Sequence, residues 1–366
     1  MLYEPEAHER VVDDPWDAER VRAAVRAIVA DAEAAFDDGW WIHPLDEGED
    51  EAGSRFRTIY VGGAGVVDAL RRLAERGLVE LRRDYVPYLE RSLDAPPDFP
   101  DEDPRRSLWM GETGIRLVLQ RLAPSAENLE ARAGLIAANA HDRRRELMWG
   151  SPGTMLAARE LGLDDLWGES ADWLRSERDD DGLWEQDLHG QLRRYLGPAH
   201  GFAGCVLALG DDPLAGEVAR QHAVVEDGLA NWPPLAGGGL IARSGPIRIQ
   251  WCHGAPGMVA SLGDLLDEEL AIAGGELTWV AGPLLKGANL CHGTAGNGYA
   301  FLTLFERTGD ERWLERARAF AMHSIAQVER TRAEHGRGRH TLWTGDPGTA
   351  LYLADCLEGS GTLPLP

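Results

Sequence analysis

The stretch that decides the fold is Cys291-His292-Gly293-Thr294-Ala295-Gly296-Asn297-Gly298-Tyr299-Ala300-Phe301-Leu302. Two glycines three apart, Gly293 and Gly296, stand directly before an apolar run. Glycine permits a tight turn and close backbone approach at a helix entrance. A helix apolar on most faces belongs in an interior. The unit recurs in both directions. Upstream lie Gly254-Ala255-Pro256-Gly257, Gly201-Phe202-Ala203-Gly204, Gly150-Ser151-Pro152-Gly153, Gly111-Glu112-Thr113-Gly114 and Gly62-Gly63-Ala64-Gly65, and downstream lies Gly345-Asp346-Pro347-Gly348. The first glycines are roughly 40 to 53 residues apart, within the range of repeat proteins. One such match means little, but seven, each opening an apolar helix, define an architecture.

Each apolar helix is followed by a charged, amphipathic one, as in DERWLERARAFAMHSIAQVER over 310–330. That pattern is the apolar stripe of an outer helix. Alternating β-branched runs are few, so sheet content is expected to be low. An open stack of hairpins needs polar capping repeats, yet the last glycine unit is as apolar as the others. The expectation is therefore an all-α fold: an α/α toroid, or barrel, of seven helical hairpins in inner and outer rings. It forms one domain over 1–366 with turns near 62, 111, 150, 201, 254, 293 and 345. The segment VRAAVRAIVADAEAAF, 21–36, supplies the first outer helix. All seven turns should share one end of the ring, with free helix N–H groups and positive dipole ends facing a common mouth. The acidic stretches DEGEDEAG (46–53) and DAPPDFPDEDP (94–104) are expected as exposed loops. RTRAEHGRGRHTLW (330–343) is expected as a further loop, with Arg337 and Arg339 solvated.

Composition bounds the function. With 366 residues, 44% hydrophobic and 27% charged, the chain has ample material for a core and is not a disordered protein. No run approaches the length of a bilayer-spanning helix, and the acidic N-terminus does not read as a secretory signal. Four cysteines are too few for a disulfide scaffold, so a reducing cytoplasm is the simplest home. The net charge of −24 repels nucleic acid and anionic membranes and reads mainly as solubility. Lys286 is the only lysine.

Repeats five and six differ from the rest. Trp251-Cys252-His253-Gly254 and Leu290-Cys291-His292-Gly293 place Cys-His directly before the first glycine, and repeat four has His200 directly before Gly201. These are equivalent positions on three consecutive inner helices, which ring closure brings together at the mouth. Two cysteines and up to three histidines there suit Zn²⁺. A thiolate-rich site with an open position favours activation of another thiol over generation of hydroxide. Cys205 and Cys356 have no neighbouring histidine, sit inside apolar helices and read as core.

WCHGAPG, CHGTAGNGYAFL and AHGFAG resemble the lanthionine synthetase C family, in wording closest to its LanC-like branch. The resemblance covers nearly the whole chain and is strongest from about Ala199 to Phe305. It implies an α/α toroid with zinc held by Cys252, Cys291 and His292, His253 not being a ligand. It further implies addition of a thiol, from a peptide cysteine or glutathione, to dehydroalanine or dehydrobutyrine to give a thioether. His200 is then the candidate general acid. Arg248 would stabilise the developing enolate, and Trp251 would wall the site. Lys286, five residues before Cys291, would contact a substrate carboxylate. The family's cyclases carry an aspartate near the third repeat, and both Asp142 and Glu146 lie there. The chain is expected to act without a fused dehydratase, so the alkene would come from a separate enzyme or from damaged protein. The competing readings are a non-catalytic zinc module that binds glutathione or a partner protein, and an α/α-toroid carbohydrate enzyme, which would need paired carboxylates.

Overall fold

The computed structural model describes residues 2–46, 54–100, 104–237 and 247–366. Among them are fourteen α-helices: α1 (Ala18–Ala34), α2 (Gly63–Glu75), α3 (Val86–Asp94), α4 (Glu112–Leu122), α5 (Ala126–Asn139), α6 (Ser151–Glu160), α7 (Asp164–Ser176), α8 (Phe202–Leu209), α9 (Ala215–His222), α10 (Ala255–Leu262), α11 (Glu268–Ala281), α12 (Thr294–Thr308), α13 (Glu311–His335) and α14 (Asp346–Glu358). Even-numbered helices form the inner ring and odd-numbered helices the outer one. The sheet is confined to two short hairpins, Gln186–Leu188 with Gln191–Arg193 and Val224–Glu226 with Leu229–Asn231. The expected α/α toroid is the observed fold.

Inner and outer helices start differently. Four of the seven outer helices use side-chain caps: Asp17 accepts from Glu19 and Arg20, Ser125 from Asn128, Asp267 from Glu269 and Asp310 from Arg312. Every inner helix begins at the first glycine of its repeat, with no side-chain cap. In four of them the first amide reaches back to the carbonyl seven residues earlier: Gly63 to Phe56, Phe202 to Tyr195, Thr294 to Gly287 and Asp346 to Arg339, at 2.8–2.9 Å. In α10, Ala255 instead donates to the Asn231 side chain at 2.9 Å. At those five turns the first amide is thus bonded, where the sequence reading expected it free. The turns fold back so tightly that their own carbonyls satisfy the amides.

The second glycine of each repeat is required by that tightness. A Cβ there would lie between 1.7 Å (Gly296 against Leu290) and 2.2 Å (Gly153 against Leu147) from the carbonyl oxygen six residues before it, and the other five repeats fall within those limits. No side chain fits at such a distance.

Ring closure is visible twice. Among the inner helices, α14 packs on α2, and the first outer helix, α1, packs on α14. A run of main-chain hydrogen bonds also crosses the repeats at one register, two residues before each first glycine. Cys252 N donates to Cys291 O at 3.0 Å, Cys291 N to Trp343 O at 2.9 Å, Trp343 N to Tyr60 O at 3.3 Å and Tyr60 N to Trp109 O at 3.0 Å. This chain runs from repeat five through seven into one and two, joining the two ends of the sequence.

The centre is filled by aromatic rings. Trp343 packs against Trp251 in a tilted contact and against Trp109 edge-on, with centroids 4.5 and 4.6 Å apart, and Trp109 is 6.5 Å from Trp251. All three are fully buried. They come from repeats seven, five and two, so the axis is plugged below the turns. At the opposite end Arg121 of α4 pairs with Asp68 of α2 and Glu160 of α6. Burial pushes the Asp68 carboxyl up, but Arg72, Arg121 and Arg71 outweigh it and hold the group at about 2.

Three loop expectations need correction. The first six residues of 330–343 continue α13, which ends at Gly336 in the left-handed conformation. Nothing before that glycine breaks the helix. Arg339 is not solvated: it is buried and pairs with Asp46 at 2.9 Å. Arg337 is half-buried and donates to the carbonyls of Trp41 and Ile42. Asp46 is itself buried, so the first acidic stretch begins inside the protein, while 47–53 lie outside the described residues. In the second stretch Asp98 turns inward to accept from the amides of Arg57 and Thr58, and 101–103 lie outside the described residues.

Candidate active site

Cys252 and Cys291 occupy the same register of adjacent turns and are joined by a main-chain hydrogen bond. Both are buried, and each sulfur receives a donor. Tyr60 Oη donates to Cys291 Sγ at 3.1 Å, and Gln250 Nε2 donates to Cys252 Sγ at 2.9 Å. His292 follows Cys291, with its amide held by Asn289 Oδ1 at 2.9 Å. Burial lowers the His292 pKa to about 3, helped by the charges of Lys286, Arg339 and Arg248. The imidazole is therefore neutral at physiological pH, the form in which histidine ligates metal.

Beside the sulfur pair is a cluster of rings. His200, His253 and Tyr195 have centroids 6.0–6.4 Å apart. His200 Nδ1 is 2.9 Å from Glu146 Oε2. Glu146 is fully buried and also accepts from the amides of Met148, Trp149 and Gly150. Asp142 instead folds onto Arg144. Glu146 is thus the acidic residue of the third repeat that touches His200. His253 is buried, and its pKa falls to about 3 through burial and then the nearby cations His200, Arg248 and Lys286.

The mouth is cationic in a protein of net charge −24. Arg248 and Lys286 both lie near enough to depress both histidines. Arg248 is half-buried and Lys286 exposed, and neither head group has an ion-pair partner among the described residues. Arg339 adds charge beside His292 while bound to Asp46. Trp251 belongs to the floor, packed against Trp343, and not to the open rim.

Several of these residues were absent from the sequence reading. Tyr60, Trp109 and Trp343 hold the register of Cys252 and Cys291 in other repeats, and that shared register was the available signal. Gln250 carried none. Cys205 and Cys356 are core as expected: both are fully buried, and burial pushes both thiols up.

The donor set at the mouth, two sulfurs and a neutral imidazole, suits a soft or borderline dication. No group of three or more His, Cys, Asp or Glu side chains in the described residues has the geometry to hold a metal ion. The fit is thus one of donor chemistry and shared register. No helix among the described residues is long and apolar enough to cross a membrane.

A family profile described as lanthionine synthetase C-like protein matches residues 56–364. The chain belongs to the lanthionine synthetase C-like family. It is 32% identical over 190 residues to the glutathione S-transferase LANCL1 of Danio rerio, covering 45% of this chain and 43% of that protein. It is 36% identical over 141 residues to the LanC-like protein GCL1 of Arabidopsis thaliana, covering 36% of this chain and 32% of that one. The aligned regions thus span less than half of either relative. In structure, this LanC-like chain is similar to nisin cyclase, with a TM-score of 0.57 at 16% identity over 92% of this chain and 94% of the other. That likeness is one of fold.

Proposed function

We propose that this LanC-like protein is a zinc-dependent enzyme that adds a thiol to a dehydroamino acid, forming a thioether. The observation that carries the reading is that Cys252 and Cys291, at one register of adjacent turns, are both buried with a hydrogen-bond donor on each sulfur, and that His292, next to Cys291 in the chain, is neutral. Cys252, Cys291 and His292 would hold the metal. Zinc, when bound, supplies the Lewis acidity that lets a thiol lose its proton near neutral pH.

The remaining chemistry falls to side chains of the protein. Sulfur bonds to the β-carbon of the alkene, and the alkene's π electrons move toward the α-carbon and its carbonyl. Arg248 offers its charge to the developing enolate. His200 delivers a proton to the α-carbon, and the proton lost by the thiol balances it, so nothing leaves. Glu146 fixes the ring orientation and tautomer of His200 through Nδ1. Lys286 and Arg248 would draw in the carboxylates of a peptide or of glutathione. The name of the zebrafish relative favours glutathione as the thiol. A peptide cysteine, with the alkene made by a separate dehydratase, fits the same residues, and a reducing cytoplasm suits the free thiols. A carbohydrate enzyme would need two facing carboxylates, where this mouth offers sulfur and imidazole.

The test is the full-length, zinc-loaded protein mixed with a dehydrobutyrine peptide, with and without glutathione, read by mass spectrometry. The expected result is a thioether adduct. His200→Ala should slow its formation by about 10²–10⁴-fold while leaving the metal content unchanged. A metal-loaded protein that gives no adduct with either thiol would instead be a binding module.

A further inference from the structure

The two donors above the sulfurs come from unrelated places. Tyr60 lies 231 residues from Cys291 along the chain, in the first repeat. Gln250 lies two residues before Cys252, and its main chain bridges His253 in both directions at 3.1 Å. Both Tyr60 and Gln250 are buried. Tyr60 donates to the sulfur of Cys291 and Gln250 to that of Cys252, two donors that share no sequence motif.

The Tyr60 hydroxyl is separable from the architecture. Trp109 and Trp343 stand at the register of Tyr60 and keep the main-chain run intact without a hydroxyl. The hydrogen bonds that tie the tyrosine into the run, to Trp109 and from Trp343, are main-chain ones.

We infer that Tyr60 and Gln250 are positioning residues for the metal-binding sulfurs, holding the side chains of Cys291 and Cys252 in place and withdrawing electron density from them. The inference rests on the zinc reading above. Two thiolates already cancel the charge of a dication, which blunts its attraction for a third sulfur. A hydrogen bond to each sulfur reduces that donation, leaving the metal a better acceptor for an external thiol. Outer-shell partners of this kind commonly alter metal affinity or activity by 10–100-fold.

Cobalt reports the effect directly, because sulfur-to-cobalt charge-transfer absorption follows the electron richness of the sulfur. Full-length wild type, Tyr60→Phe and Gln250→Met are loaded with Co²⁺, their near-ultraviolet spectra compared, and Co²⁺ affinity measured by chelator competition. Wild type should show the charge-transfer band. Tyr60→Phe should move it to longer wavelength and shift Co²⁺ affinity roughly tenfold, with an unchanged far-ultraviolet circular dichroism spectrum. Gln250→Met should move the band in the same direction, and it carries the test alone if Tyr60→Phe does not fold. Bands and affinities identical across the three proteins would overturn the inference and leave the zinc reading standing. The absence of any charge-transfer band in wild type would remove the zinc reading and this inference together.

Discussion

The turns of repeats five and six and those of repeats seven, one and two share one backbone and differ in what it displays. At the same register the first two carry Cys252 and Cys291, while the other three carry Trp343, Tyr60 and Trp109. The main-chain hydrogen bonds run through all five without interruption. The fold therefore needs the carbonyls and amides at these positions, and the chemistry needs the side chains. The proposed metal ligands thus occupy part of a ring that closes by the same means elsewhere.

The sharpest way to break that comparison is Cys291→Ala. If backbone and side chain serve separate ends, the variant stays folded, loses its zinc and makes thioether more than about 100-fold more slowly. Metal analysis, adduct mass and a thermal melt together check it. A variant that unfolds would show that the sulfur supports the ring as well as the chemistry.

At the same register on the other side, Trp343→Ala removes a fully buried ring from the axial cluster. Truncation of this size costs about 3–5 kcal/mol, read as a lower denaturant midpoint. Below that midpoint the zinc content per folded chain should match wild type. Zinc lost in proportion to the tryptophan would mean that the two halves of the mouth are not independent.

The smallest effect concerns pH. His253 has a folded pKa of about 3 against an ordinary value of 6.5. Between those values the unfolded chain binds the proton and the folded chain does not. Stability of the metal-free protein should therefore fall on acidification from about pH 6.5, with this residue contributing up to about 1.4 kcal/mol per pH unit. His253→Asn should flatten the slope of unfolding free energy against pH between 6 and 4. An unaltered slope would mean that this imidazole is not held neutral by burial.

Much of this was legible in the sequence because it is repeated. The second glycine recurs wherever a carbonyl crowds the helix entrance, and seven recurrences make a physical rule visible as a pattern. Cys252, Cys291 and His200 stood out through shared spacing from those glycines. What stayed hidden was settled by contacts between distant segments. Arg339 looked solvated because its partner, Asp46, lies 293 residues away. Glu146 and Asp142 were indistinguishable by position, and only the fold shows which one meets His200. The amides at the mouth were expected to be free because no sequence signal marks a carbonyl turning back on its own helix.

The packed tryptophans carry a consequence for traffic. Under the proposed function, a polypeptide substrate could not thread the axis past Trp109, Trp251 and Trp343 and would arrive and depart at the end where the turns lie. A substrate bearing several alkenes would have to be let go and recaptured between additions, so the order of modification would be set by which segment docks next. Threading from one end to the other is denied by the floor itself.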